Sequence, residues 1–110
     1  MMDPYDSATR LTAELAERRL SAADLMAATY DRIEAVNPGV NALVSLLPRD
    51  EALALARAAD CQAPVGPLHG LPLAVKDLAN AAGFPTSQGS PIFAGAGPAT
   101  RDDIMVARMR

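Results

Sequence analysis

Apolar residues recur at helical spacing from the start of the chain. Ala8, Leu11 and Leu15 stand at i, i+3 and i+7 behind Ser7, a competent N-cap, with Glu14, Glu17, Arg18 and Arg19 expected to face water. Ser21 opens a second helix, three residues ahead of Asp24 at capping-box spacing. Its stripe of Leu25, Met26, Tyr30 and Ile33 runs to about Ala35, where Asn37, Pro38 and Gly39 are expected to stop it. Met26 and Tyr30 lie at core spacing, so they read as packing residues and not as a ligand stripe. Val40 to Leu47 is short, rich in Val and Leu and bounded by Pro-Gly and Pro48, which predicts a strand. Asp50 to about Ala63 predicts a helix with Leu53, Ala56 and Ala59 on one side, Pro48 preceding it where a missing amide does least harm. Leu73, Ala74 and Val75 predict a second, fully buried strand. Gly83 to Pro98 predicts an ordered loop covering a site. A last helix is expected to open at Thr100 and Asp102 and to continue through Ile104 and Ala107. Helix, strand, helix, strand is the order of an α/β sheet protein.

The second expected strand delivers a charge. Lys76 follows Leu73–Val75 with no polar transition, at the carboxyl end of the strand, where open α/β sheets commonly place active groups. Strand alternation puts it on the face of Ala74 and Pro72, whose small side chains leave the amine room. A lysine withdrawn from water loses solvation preferentially in its charged form and becomes a base near neutral pH. The competing interpretation is a snorkelling lysine or half of a salt bridge.

The flanks of Lys76 narrow the choice. The run from Gly66 to Asp77, GPLHGLPLAVKD, followed by Gly83, Thr86, Gly89 and Ser90 at fixed offsets, resembles the motif of the amidase signature family. Arg32, Ile33, Asn37, Asn41 and Ala42 resemble that family's helix ending and following strand, so the likeness covers nearly the whole chain. It implies the N-terminal helices and first strands of an incomplete α/β mixed-sheet fold: residues 1–110 as the N-terminal portion of one domain, 1–36 a helical pair and 37–110 the start of the α/β core. It also implies an amide hydrolase acting on carbon–nitrogen bonds of non-peptide amides through a Ser, cis-Ser, Lys triad, with Lys76 as the general base. The family's two serines lie in a glycine-rich loop well downstream of the lysine. Here Ser7, Ser21, Ser45, Ser87 and Ser90 are the serines and no two are adjacent. The chain is therefore expected to be the front part of a longer enzyme and to be inactive alone. The glutaminase (A) subunit of a transfer-RNA-dependent amidotransferase, which uses the same triad, is the alternative within the family. A non-catalytic helical module whose Ser7–Ala35 region docks a partner is the alternative from another class.

Composition changes this picture little. The 110 residues are 50% hydrophobic and 21% charged, ordinary values for one globular domain at most. A net charge of −3 and dispersed basic residues give no footprint for nucleic acid or an anionic membrane. The amino-terminal MMDPYDSATRL lacks a basic-then-apolar leader pattern, no stretch reaches membrane-spanning length, and cytoplasmic residence is expected. Expected partners are a small-molecule amide and the remainder of an amidase chain, with homo-oligomerisation left open and no cofactor called for.

The other reactive side chains read as structural. Cys61 is the sole cysteine, which excludes an internal disulfide or a thiolate metal cage, and it reads as a small helix-face residue. His69 is the sole histidine. The chain lacks a G-x-S-x-G elbow, so His69 is expected to hold the Gly66–Gly70 turn through backbone hydrogen bonds. Asp77 should point away from the lysine and accept backbone amides as a loop anchor. Thr86, Gly89 and Ser90 should shape the following loop. Gly95, Ala96 and Gly97 lack the third glycine and the preceding strand of a phosphate-binding turn. No His, Cys or carboxylate spacing matches a metal site.

Overall fold

Ser7 and Ser21 open helices as their positions predict. In the computed structural model, which describes residues 3 and 5–110, the Ser7 hydroxyl accepts the Arg10 amide at 3.2 Å and opens α1 (Ala8–Ala16). Met1, Met2 and Pro4, part of the stretch inspected for a leader, lie outside the described residues. The Ser21 hydroxyl accepts the Asp24 amide at 2.9 Å and opens α2 (Ala22–Val40). Between them, α1 closes in a Schellman turn. Arg18, at φ 56°, donates its amide to Leu15 O at 3.1 Å, and Arg19 donates to Glu14 O at 2.9 Å.

The chain divides into two compact units, Met1–Pro72 and Leu73–Arg110. In the first, α2 packs against α3 (Arg49–Asp60). Leu25 is almost wholly buried, with Leu11, Ala22, Tyr30, Ala52 and Ala56 beside it in the set of buried residues. Leu53 and Ala59, expected on the packed side of α3, are only half-buried. Alanines one turn apart, at positions 52 and 56, form the buried face because short side chains let two helices approach closely. The helix ends at Asp60, three residues before the expected limit, and Asp60 turns its carboxylate onto α2. The Ala22 amide donates to Asp60 Oδ1 at 2.7 Å and the Ala23 amide to Oδ2 at 3.1 Å.

Asn37, Pro38 and Gly39 do not stop α2, which continues through them to Val40. A proline in the last turn removes a single intrahelical donor, and the remaining bonds of that turn carry the helix past it. The stop is Asn41, in the left-handed region at φ 53°, its amide on Asn37 O at 2.6 Å. The strand expected over Val40–Leu47 is consequently absent. Val40 belongs to α2, and the residues after Asn41 form a loop gathered by the Asn37 side chain. Its Oδ1 accepts the Ala42 and Leu43 amides, each at 2.9 Å, and its Nδ2 donates to Leu43 O at 2.9 Å. Tyr30 Oη donates to Leu47 O at 2.7 Å and holds the far end of the loop. Arg49 then ties the start of α3 to α2 through Asp31 at 2.6 Å and Glu34 at 2.9 Å.

The strand expected over Leu73–Val75 is absent too. Among the described residues no strand forms, and the only β-type pairings are two isolated bridges, Ala82 with Ala99 and Pro85 with Pro98. A strand is stable only when neighbouring segments take up its amides and carbonyls. Within this second unit the amides of Leu73–Lys76 donate no hydrogen bond. The helical part of the fold class is present, whereas the sheet does not form among these residues.

Carboxylates organise the second unit. Asp102 Oδ1 accepts the Ala82 amide at 2.7 Å. Asp103 accepts the Asn80 amide at 2.8 Å and its Nδ2 at 3.2 Å, while the Asp103 amide donates to Asn80 O at 2.9 Å. Both aspartates thus hold residues 80–82, and α4 (Ile104–Met109) starts after Asp103 rather than at Thr100 or Asp102. Val106 and Ala81 are buried in this unit.

Candidate active site: the Lys76 turn

Lys76 ends the irregular Leu73–Val75 segment and begins a turn. Its carbonyl accepts the Leu78 amide at 2.7 Å and the Ala79 amide at 3.1 Å, which fixes the backbone on its carboxyl side. The residue itself is exposed. That corrects the expectation of an amine withdrawn from water at a strand terminus: no strand or covering layer forms there among the described residues. No ion pair involves Lys76 among the described residues, so the salt-bridge interpretation gains no support either.

Asp77 is the loop anchor that its position suggests. Its Oδ1 accepts the Ser87 amide at 2.8 Å, and the Ser87 hydroxyl donates a short hydrogen bond to Oδ2. The Ser87 hydroxyl, followed by the Ser87 amide, holds the carboxyl below its ordinary value; partial desolvation opposes this, and the Gln88 and Gly89 amides reinforce it. Gln88 and Gly89 are consecutive residues of positive φ, 51° and 66°. Backbone amides in such a turn can form a concavity suited to an anion. Asp77 supplies that anion from the chain itself.

Thr86 stands next to this clamp, and its hydroxyl donates to Asn80 Oδ1 at 2.8 Å. Ser90 accepts the Ile92 amide at 3.3 Å and caps the short 3-10 turn Pro91–Phe93. Lys76, Asp77, Thr86 and Ser90 therefore all belong to the unit Leu73–Arg110. Ser87 and Asn80, which join its parts, were not among the sequence candidates. The signal for Ser87 was the Ser-Gln-Gly turn ten residues after an aspartate, a pattern that becomes visible only when the loop closes.

His69 lies in the first unit and holds its turn as expected. Its Nε2 donates to Ala59 O at 2.8 Å and its Nδ1 accepts the Val65 amide at 3.5 Å, an arrangement that fits the neutral Nε2–H tautomer. Both ring nitrogens are engaged with the main chain. Cys61 is exposed and is the C-cap of α3 rather than a helix-face residue. An open groove of about 320 Å³ in the first unit is lined in part by Tyr5, Leu11, Leu25, Arg32 and Leu71. The Arg32 guanidinium stacks 4.9 Å from the Tyr5 ring centre beside it. Among the described residues, no group of three or more His, Cys, Asp or Glu is placed to hold a metal ion, and no helix is long and apolar enough to cross a membrane.

The motif around Lys76 has relatives. The sequence profile of the family described as Amidase matches residues 24–110, and the chain belongs to that family. It is 37% identical to an acylamidase of Rhodococcus erythropolis over 108 residues, which cover 94% of this chain and 22% of the relative. It is 42% identical to the glutamyl-tRNA(Gln) amidotransferase A subunit of Acidothermus cellulolyticus over 93 residues, 81% of this chain and 18% of that protein. The corresponding protein of Salinispora arenicola is 41% identical over 108 residues, 94% and 22% respectively. The chain thus spans about a fifth of the length of these curated relatives.

Proposed function

We propose that this chain carries the lysine of an amidase that hydrolyses the carbon–nitrogen bond of small non-peptide amides through a Ser, cis-Ser, Lys triad. The observation that carries the proposal is the run GPLHGLPLAVKD, ending in Lys76 and Asp77, inside the stretch matched by the Amidase family. In the proposed chemistry, neutral Lys76 accepts a proton from a bridging serine, which in turn takes one from the nucleophilic serine. The nucleophile attacks the amide carbonyl, and backbone amides stabilise the oxyanion. The amine leaves with a proton, and water releases the acid from the acyl-enzyme. Both serines would come from sequence outside these 110 residues, since no adjacent pair occurs here.

The same longer chain would complete the α/β sheet and cover Lys76. Leu73, Leu78, Ile92 and Met105 are exposed in the second unit, as expected of a surface built to be packed against. Burial would then disfavour the ammonium form and make the amine a base. The 110 residues alone are proposed to be inactive.

A glutaminase component of a transfer-RNA-dependent amidotransferase is the second reading, favoured by the relatives of that name at 41% and 42% identity. Ammonia release from propionamide, benzamide and glutamine by the full-length protein distinguishes the two. Turnover of the simple amides supports the amidase. Activity confined to glutamine or asparagine, with a second protein co-purifying, supports the amidotransferase. Unchanged turnover in Lys76→Ala contradicts both.

A further inference from the structure

We propose that Asp77 is a positioning residue for the reaction, clamping the Ser87–Gly89 turn so that the backbone bearing Lys76 is held in one arrangement; this rests on Lys76 being the base. A general base must lie within hydrogen-bond reach of the proton it takes, and a lysine reaches it on a flexible four-carbon stem. Placement therefore depends on how firmly its own backbone is held. On the amino side of Lys76, the amides of Leu73–Lys76 donate no hydrogen bond within the unit. On the carboxyl side, the Lys76 carbonyl is bound by Leu78 and Ala79, and the next residue, Asp77, is bound by Ser87 through both its amide and its hydroxyl. The anchoring of the lysine within this unit comes from one direction, and Asp77 is its long-range member.

The turn that Asp77 grips is held in an unfavourable conformation. Gln88 sits at φ 51°, a region that residues with a Cβ adopt only at a cost. Such a conformation persists where the surroundings over-determine it. The Ser87 amide, 2.8 Å from Asp77 Oδ1, and the Ser87 hydroxyl on Oδ2 supply that constraint. Asp77 has no cationic partner among the described residues, so its effect on Lys76 runs through the shared backbone and not through an ion pair.

The test is made on the full-length enzyme, with ammonia release from propionamide, benzamide or glutamine as the assay and the melting temperature as the check on folding. Asp77→Ala should lower kcat by about 10²-fold, the scale of a small displacement of a catalytic group, while leaving KM and the melting temperature near those of the parent. Ser87→Ala, which keeps Asp77 and the amide contacts, should lower kcat in the same direction by less. The double variant should be no worse than Asp77→Ala, because both changes open one clamp. A folded Asp77→Ala with unchanged kcat, a loss confined to KM, or additive losses in the double variant overturns the proposal. Should Asp77→Ala fail to fold, Ser87→Ala decides: reduced kcat at constant KM supports the clamp and unchanged kcat overturns it. Lys76→Ala separates the two levels. If that variant is active, or the parent releases ammonia from none of the three amides, the underlying assignment fails; if Lys76→Ala is inactive and Asp77→Ala is fully active, only the clamp fails.

Discussion

The carboxylate of Asp60, the last residue of α3, accepts the amide of Ala22, the first residue of α2, at 2.7 Å across 38 positions of sequence. With the second oxygen on Ala23 and the Ser21 hydroxyl on Asp24, the first three amides of α2 all have acceptors. A negative charge at that end also complements the helix dipole.

Asp60→Ala should therefore destabilise the helical unit by about 1 kcal/mol, the usual effect of losing an N-cap acceptor. Hydrogen exchange locates the effect. The Ala22 and Ala23 amides should lose protection, while that of Asp24, still held by Ser21, should change less.

Gly70 should tolerate a side chain poorly. It adopts φ 82°, and a Cβ built there would stand 3.2 Å from the Ala22 Cβ and 3.6 Å from both Leu15 methyl carbons. Gly70→Ala is expected to cost about 1–2 kcal/mol from the backbone alone, with the contact adding to it. Gly66, four residues earlier, has open space around it and no positive φ, so Gly66→Ala should be close to neutral in the same thermal denaturation.

These two contacts mark what was legible and what was not. Local chemistry could be read directly: Ser7 and Ser21 open helices, His69 holds its turn, Tyr30 packs and Asp77 anchors a loop, because each depends on residues nearby or on a short motif. Elements that depend on distant pairing could not. Val40–Leu47 and Leu73–Val75 have the composition of strands, but β structure is decided by partners, and an apolar run without a ladder is a loop. Asp60 as the cap of α2 was equally hidden, since nothing local to either residue announces a bond 38 positions long. The exposure of Lys76 has the same origin as the missing strands.

The Asp77 clamp should open in acid. Its carboxyl is held below the ordinary value of 3.8 in the folded protein by Ser87 and the neighbouring amides. A depressed carboxyl contributes stability that is fully present above its unfolded value and is lost as pH falls through the lower folded value. Protection of the Ser87 amide, corrected for intrinsic exchange, should therefore hold at neutral pH and fall below about 3.8. In Asp77→Asn the acid-dependent step should disappear. A step of unchanged size in that variant would assign the titration to another group.

If Lys76 is the base of an amidase, as proposed, amide turnover by the full-length Lys76→Ala enzyme must show it. A general base contributes about 10²–10⁴-fold, so kcat should fall by at least the lower of these factors while the melting temperature of an exposed-residue substitution stays near the parent value. Amide hydrolysis continuing at the parental rate in a folded Lys76→Ala protein would contradict it.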